Sequence, residues 1–248
     1  MNSTATIRQE SAAIAAQYAS GVSTNKLAVK YQTYPTVINR ILRECDLTVR
    51  TMVPRSRPMS DQLMRKLDGW MLGDGNLTFT GRQAHFQLSS KHEMYADFVR
   101  RQFESELIEC KKYEVFDKTY RKTAWKLRSL NTIELEREYR RWYIDGKKRI
   151  PNDLKLTSDA FKVWIMDDGT LDRKAGHMRM CTNGFSPEEC EFLADLVNRF
   201  LDVDCVHVCE RGKNTTRLYI PKVAVHTLLA KIGSCDVNCF TYKWAVKR

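Results

Sequence analysis

The runs Trp70-Met-Leu-Gly-Asp-Gly75 and Trp164-Ile-Met-Asp-Asp-Gly169 read as two copies of one element. Extended upstream to Leu67 and Phe161, each is an apolar segment of helical periodicity that stops at Asp-Gly. Asp74 and Asp168 stand 94 residues apart. A single Asp-Gly is an ordinary helix stop or turn. The duplication carries the information: it implies two pseudo-symmetric halves, each delivering one carboxylate to a shared centre.

The repeat continues on both sides of the motifs. After Gly75 come Asn-Leu, the run His85-Phe-Gln-Leu-Ser-Ser-Lys and a helical stretch from Glu93 to Leu107. After Gly169 come Thr-Leu, the run His177-Met-Arg-Met-Cys-Thr-Asn and a helical stretch from Pro187 to Leu201. Two alternating, strand-like runs follow in each half, Lys112–Asp117 and Thr123–Ser129, then Asp204–Glu210 and Thr215–Ile220. A further helix closes each, Ile133–Tyr143 and Val223–Ile232. Lys148 lies 74 residues after Asp74, and Lys243 lies 75 after Asp168. Two copies make a duplicated α/β (α+β) unit rather than a solenoid. The halves run over about 60–150 and 151–248.

A net charge of +11 and a pI near 9.3 point to an anionic partner, nucleic acid before any other. No apolar run reaches transmembrane length, and the amino terminus lacks a basic segment followed by an apolar core. The expectation is a protein without a membrane partner, not secreted, in a bacterial or phage-infected cytoplasm or an organelle. Cys205, His207 and Cys209 alternate as in a strand instead of forming a tight zinc knuckle. Reduced cysteines packed as small apolar groups account for them better.

Residues 1–50 read as a separate all-α module. Ile7, Ile14, Ala15 and Tyr18 mark one helix that ends at Gly21, and Ser23-Thr24 caps a second over Asn25–Tyr31. Pro35 opens a third through Ile38, Ile41 and Leu42. This is a helix-turn-helix pattern, similar to the DNA-binding modules of resolvases and transposases. Its third helix would offer Thr36, Asn39, Arg40 and Arg43 to the major groove. A three-helix interaction domain is the other reading. Residues 51–59, with two prolines and two arginines, read as an extended basic linker.

Gly69 and Gly73 in the first motif helix let a second helix approach closely, so Asp74 and Asp168 are expected side by side at two helix C-termini. Facing carboxylates beside the negative ends of two helix dipoles attract a divalent cation. Oxygen-only ligation suits Mg²⁺. A metal next to a scissile phosphate suits phosphodiester hydrolysis, with Lys148 and Lys243 stabilising the developing charge. Lys147 is an immediate rival to Lys148.

Together these stretches resemble the LAGLIDADG homing endonucleases, from about Ser60 onward. Lys148-Arg-Ile-Pro-Asn-Asp153 and Tyr242-Lys-Trp244 are similar to tracts of the monomeric, two-motif, intron-encoded branch. The resemblance implies a pseudo-twofold fold with two saddle-shaped antiparallel sheets over DNA, in a domain spanning 60–248. It implies Mg²⁺-dependent cutting of both strands across the minor groove, with 3′ overhangs and Mn²⁺ as a substitute metal. Asp74 and Asp168 match the metal-binding aspartates, with Gly73 and Asp167 just before them in the metal set. Lys148 and Lys243 match the basic residues flanking the site. Val163 departs from the pattern, where many members carry glycine. Asp68 and Lys162 depart from it too, where a small residue is usual.

DNA contacts are expected from the sheets, across a long asymmetric site. In the first half they are Arg82, His85, Gln87, Lys118, Arg121, Lys122, Lys126 and Arg128. In the second they are Arg173, Lys174, Arg179, Arg211, Lys213 and Arg217. Two further readings stand beside the endonuclease: a transcription regulator that kept the fold without cutting, and an RNA maturase acting on intron RNA. Two carboxylates beside phosphate serve a pure binder poorly.

Overall fold

The computed structural model describes residues 4–49, 55–117, 122–210 and 216–246. The chain divides into two compact units, Met1–Val53 and Pro54–Arg248.

The first unit holds four short helices, α1 (Thr4–Gln9), α2 (Ser11–Ala19), α3 (Thr24–Lys30) and α4 (Pro35–Glu44). The single first helix expected from the periodicity is split at Glu10, whose N–H closes a tight turn on the Ile7 carbonyl at 3.1 Å. Ile7, Ile14, Leu27, Ile38, Ile41 and Leu42 fill its own small core. The Ser23 hydroxyl accepts from the Lys26 N–H as N-cap of α3, and Pro35 occupies the first turn of α4. An Arg8–Glu44 ion pair at 2.6 Å ties α1 to α4.

The second unit repeats one plan twice. The first copy runs α5 (Asp61–Leu72), β1 (Asn76–Phe79), β2 (Ala84–Ser90), α6 (Glu93–Glu104), β3 (Cys110–Asp117), β4 (Lys122–Ser129) and α7 (Ile133–Trp142). A small ribbon, β5 (Tyr143–Ile144) with β6 (Lys147–Lys148), leads out of it. The second copy runs α8 (Ser158–Asp168), β7 (Gly169–Leu171), β8 (Met178–Cys181), α9 (Pro187–Leu201), β9 (His207–Glu210), β10 (Thr216–Ile220) and α10 (Lys222–Ile232), then a 3₁₀ turn over Asn238–Lys243. Both four-stranded sheets are antiparallel and share one strand order, β1-β2-β4-β3 and β7-β8-β10-β9. Inward residues such as Phe86, Leu88 and Leu127, or Met178, Met180 and Leu218, alternate with outward polar ones. Trp70, Phe86 and Phe103 form an aromatic knot whose ring centroids lie 5.0–5.6 Å apart. Each such ring contributes about 1.5–3 kcal/mol on burial.

Helices α5 and α8 pack directly on each other. A Cβ on Gly69 would fall 2.2 Å from the Ala160 carbonyl oxygen and 2.2 Å from Val163 Cγ2. Val163, the departure noted above, therefore fills the space that Gly69 leaves. Asp68 and Lys162 stand off this interface. Asp68 accepts from the Arg141 guanidinium and from Trp142 Nε1, and Lys162 pairs with Asp236. Near the other end of the helices Arg65 pairs with Asp159 at 3.2 Å.

Residues 55–59, expected as part of a free linker, belong to the second unit. The Arg55 carbonyl accepts from Ile133 N–H, while Ser56 Oγ and the Arg57 N–H donate to Glu134. Residues 51–54 lie outside the described residues.

Candidate active site

A glycine follows each motif aspartate and is pressed against the end of its helix. A Cβ on Gly75 would meet the Trp70 carbonyl at 2.7 Å, and one on Gly169 the Ile165 carbonyl at 2.8 Å. The exposed Asp74 lies two residues beyond α5, whereas the half-buried Asp168 is the last residue of α8. Partial desolvation raises the pKa of both carboxyls, that of Asp168 to about 7, and the charge of Asp74 pushes Asp168 further while Lys243 and Lys148 oppose. Ionising the two carboxyls together is thus unfavourable at Asp168.

The lysines sit on the helix ends. Lys148 Nζ donates to the carbonyls of Gly75 at 2.8 Å and Gly73 at 3.3 Å. Lys243 Nζ donates to Met166 at 2.6 Å, Ile165 at 3.0 Å and Asp167 at 3.2 Å. Each thus satisfies orphan carbonyls at a helix C-terminus and offsets its dipole. Burial lowers both lysine pKa values, Lys148 to about 8, although the carboxylates pull the other way. An ammonium has three donors. Lys243 uses all three on backbone, and Lys148 keeps one free. Lys147 is exposed and makes no such contact among the described residues.

Gly73 and Asp167 contribute differently from one another. Their carbonyls face the lysines. The pKa of the Asp167 carboxyl is held far above the usual range by burial and by Asp74, and the group accepts from the Tyr95 hydroxyl and the Asp74 N–H. Among the described residues no group of three or more His, Cys, Asp or Glu gathers as a metal cluster, and all eight cysteines are free.

A groove flanks each aspartate on the sheet face away from the helices. Asp74 shares its groove with Asn76, Gln87, Ser89, Tyr113 and Lys126. Asp168 shares one of about 390 Å³ with Thr170, Arg179, Cys181, Arg217, Tyr242 and Lys243. Of the expected contact residues, Gln87, Lys126, Arg179 and Arg217 line these grooves, and Arg128 pairs in register with Gln87 and Lys111. His85 does not line them: it is 2% exposed, its Nδ1 lies 2.9 Å from Asn131 Oδ1, and its Nε2 lies 2.6 Å from Gln87 Nε2. Contacts to Asn131 and Gln87 engage both ring nitrogens on the face opposite Phe86 and Leu88. Arg82 is in the β1–β2 turn rather than in strand alternation with Gln87, and Lys122 stands exposed at the start of β4. Arg173 lies over the Tyr242 ring and Lys174 in the β7–β8 turn. Lys118, Arg121, Arg211 and Lys213 lie outside the described residues. In the first unit Thr36, Arg40 and Arg43 are exposed and Asn39 half-buried, opposite the apolar stripe of α4. Asn76, Lys111, Tyr113 and Tyr219 are missed on the sheet faces. The register Asn76↔Gln87, Lys111↔Arg128, Tyr113↔Lys126 and Tyr219↔Arg179 sets each beside an expected contact residue.

Comparison with known proteins adds four findings. Residues 65–228 match the model of the LAGLIDADG DNA endonuclease family. The chain is 32% identical over 147 residues to an uncharacterized protein of Methanocaldococcus jannaschii, a match spanning 54% of this chain and 55% of that protein. It is 23% identical over 200 residues to the cytochrome b mRNA maturase bI2 of Debaryomyces hansenii, spanning 76% of this chain and 75% of the maturase. Among solved structures it superposes on the homing endonuclease I-WcaI bound to its DNA recognition sequence. There the TM-score is 0.68 at 22% identity, covering 77% of this chain and 88% of the other.

Proposed function

The chain belongs to the LAGLIDADG DNA endonuclease family, and from that membership we propose that it is a site-specific homing endonuclease hydrolysing both strands of DNA across the minor groove. The observation that carries the reading is the pair Asp74 and Asp168 at adjoining helix ends, each beside its own lysine and its own basic groove.

The residues fit a divalent cation. Two carboxylates that resist joint ionisation offer oxygen ligands of the kind that Mg²⁺ takes, and Mn²⁺ accepts the same set. Asp74 and Asp168 would hold it, and it would supply a water-derived nucleophile and charge neutralisation at the phosphate. The protein residues do the rest. Gln87 and Lys126 on one side, Arg179 and Arg217 on the other, clamp the backbone so that a scissile phosphate lies over each aspartate. Lys148, with one donor free and a pKa near 8, holds or accepts a proton at Nζ beside the attacking water. Lys243, fully engaged by backbone, keeps the end of α8 rigid and the local potential positive. Water adds to phosphorus, the 3′ oxygen leaves, and the offset of the two sites leaves 3′ overhangs. The first unit adds a separate grip on DNA through the outer face of α4. The protein acts as a monomer, because one chain carries both halves.

The test is selection from a randomised DNA library with Mg²⁺ and sequencing of the cut ends. A single long site is expected, uncut by Asp74→Asn or Asp168→Asn although both still bind. Variants that cut like the wild type would sink the assignment. Similarity to the Debaryomyces maturase supports a second reading, in which the same basic faces bind intron RNA. An RNA-splicing assay with the protein's own intron tests it.

A further inference from the structure

Gly73 and Asp167 hold equivalent places in the two copies, each just before its aspartate. Their side chains differ by a carboxymethyl group, and that group crosses from one copy to the other. Asp167 Oδ2 accepts the Asp74 N–H at 3.2 Å, and Oδ1 accepts the Tyr95 hydroxyl at 2.5 Å. The Tyr95 oxygen accepts in turn from Trp70 Nε1 at 3.1 Å. A Cβ on Gly73 would lie 2.5 Å from Asp167 Cβ, so glycine in one copy leaves the room that aspartate takes in the other.

Among the described residues no counterpart serves Asp168. Trp164, equivalent to Trp70, is fully buried with its Nε1 unpartnered. The third residue past the helix cap, Tyr95 in α6, is Glu189 in α9, and it caps its own helix through Ser186. The need also differs. Asp168 remains inside α8, fixed by helical geometry, whereas Asp74 has left α5 and needs another hold.

We propose that Tyr95 and Asp167 are positioning residues for Asp74 alone, and so govern the cutting of one DNA strand without governing the other. This rests on the cleavage reading above, in which the pseudo-twofold axis relating Asp74 to Asp168 also relates the two strands. A carboxylate displaced by a fraction of an ångström loses its alignment with the reacting phosphate, whereas its partner across the axis does not.

The experiment uses the full chain with Mg²⁺ and a plasmid carrying the selected site, each strand end-labelled. Tyr95→Phe and Asp167→Ala should slow one strand, the same one in both variants, by about tenfold more than the other, so that nicked circles accumulate. Asp167→Asn, which keeps a carbonyl acceptor for the Asp74 N–H, should restore most of the lost rate. A merely structural role would slow both strands equally, and equal slowing overturns the proposal. Backbone amide exchange read by NMR decides it without any cutting: Asp167→Ala should speed exchange at Asp74 and leave Asp168 unchanged. Unchanged exchange at Asp74 removes the tether. A wild type that tethers Asp74 in this assay yet cuts no DNA counts against the endonuclease reading instead.

Discussion

Asp168→Asn should make the metal-free protein more stable while abolishing its cleavage. Burial and the neighbouring Asp74 lift the Asp168 carboxyl from an ordinary 3.8 to about 7. Ionising it in the fold therefore costs about 4 kcal/mol as an upper limit, and water on its open side reduces that to about 2–3 kcal/mol. The sign follows from proton linkage. Between the two pKa values the folded state binds the proton and the unfolded state does not, so stability falls as pH rises across that window. Below about pH 4 the penalty is absent, and above about pH 7 it is complete. Asparagine mimics the protonated acid in shape without ever ionising. Near pH 8 in EDTA the variant should melt about 5–10 °C above the wild type, and near pH 4 the two should nearly coincide. Mg²⁺ should raise the melting temperature of the wild type more than that of the variant, since a ligand of the folded state stabilises only the form that binds it. Thermal unfolding at the two pH values, with and without metal, reads all of this. An asparagine variant no more stable near pH 8, or equally stabilised at both pH values, refutes the reasoning.

Four further outcomes follow from other parts of the molecule. Gly69→Ala should cost about 2–3 kcal/mol in a denaturant titration, because its Cβ would strike the Ala160 carbonyl and Val163 at 2.2 Å; a neutral result would mean the two helices are not in this contact. Lys243→Met should both abolish cutting and lower the melting temperature, since three carbonyls at the end of α8 lose their donor. Lys148→Met should cost less stability, with two carbonyls affected. Removing residues 1–53 should weaken DNA binding and flatten its salt dependence while cutting persists, as a filter-binding salt titration would show.

Much of the second unit was legible because its physics is periodic and occurs twice. Apolar spacing located α5, α8 and α9, and duplication raised two weak Asp-Gly signals into one site. Pro187 and Ser186 with Glu189 put the start of α9 at the expected residue. Less legible was whatever depends on one copy differing from the other. Tyr95 reads as a core aromatic in α6, and only its hydroxyl contact with Asp167 gives it a role. His85 reads as a base contact by alternation, although its neighbours Asn131 and Gln87 occupy both ring nitrogens. Val163 looked like a flaw because the space left by Gly69 is invisible until the helices meet. Glu10 gave no breaker residue to announce the turn between α1 and α2.

The Arg65–Asp159 pair has a consequence for how such a chain arose and how it may be divided. The two residues occupy the same place in their respective copies, 94 positions apart, and they touch each other. A position that meets its own equivalent lies on the pseudo-twofold axis. In an assembly of two identical halves it would face itself, arginine against arginine or aspartate against aspartate, and the contact would be repulsive. Opposite charges there require two different halves. Cut between the copies, this protein would reassemble as a heterodimer and would disfavour either homodimer.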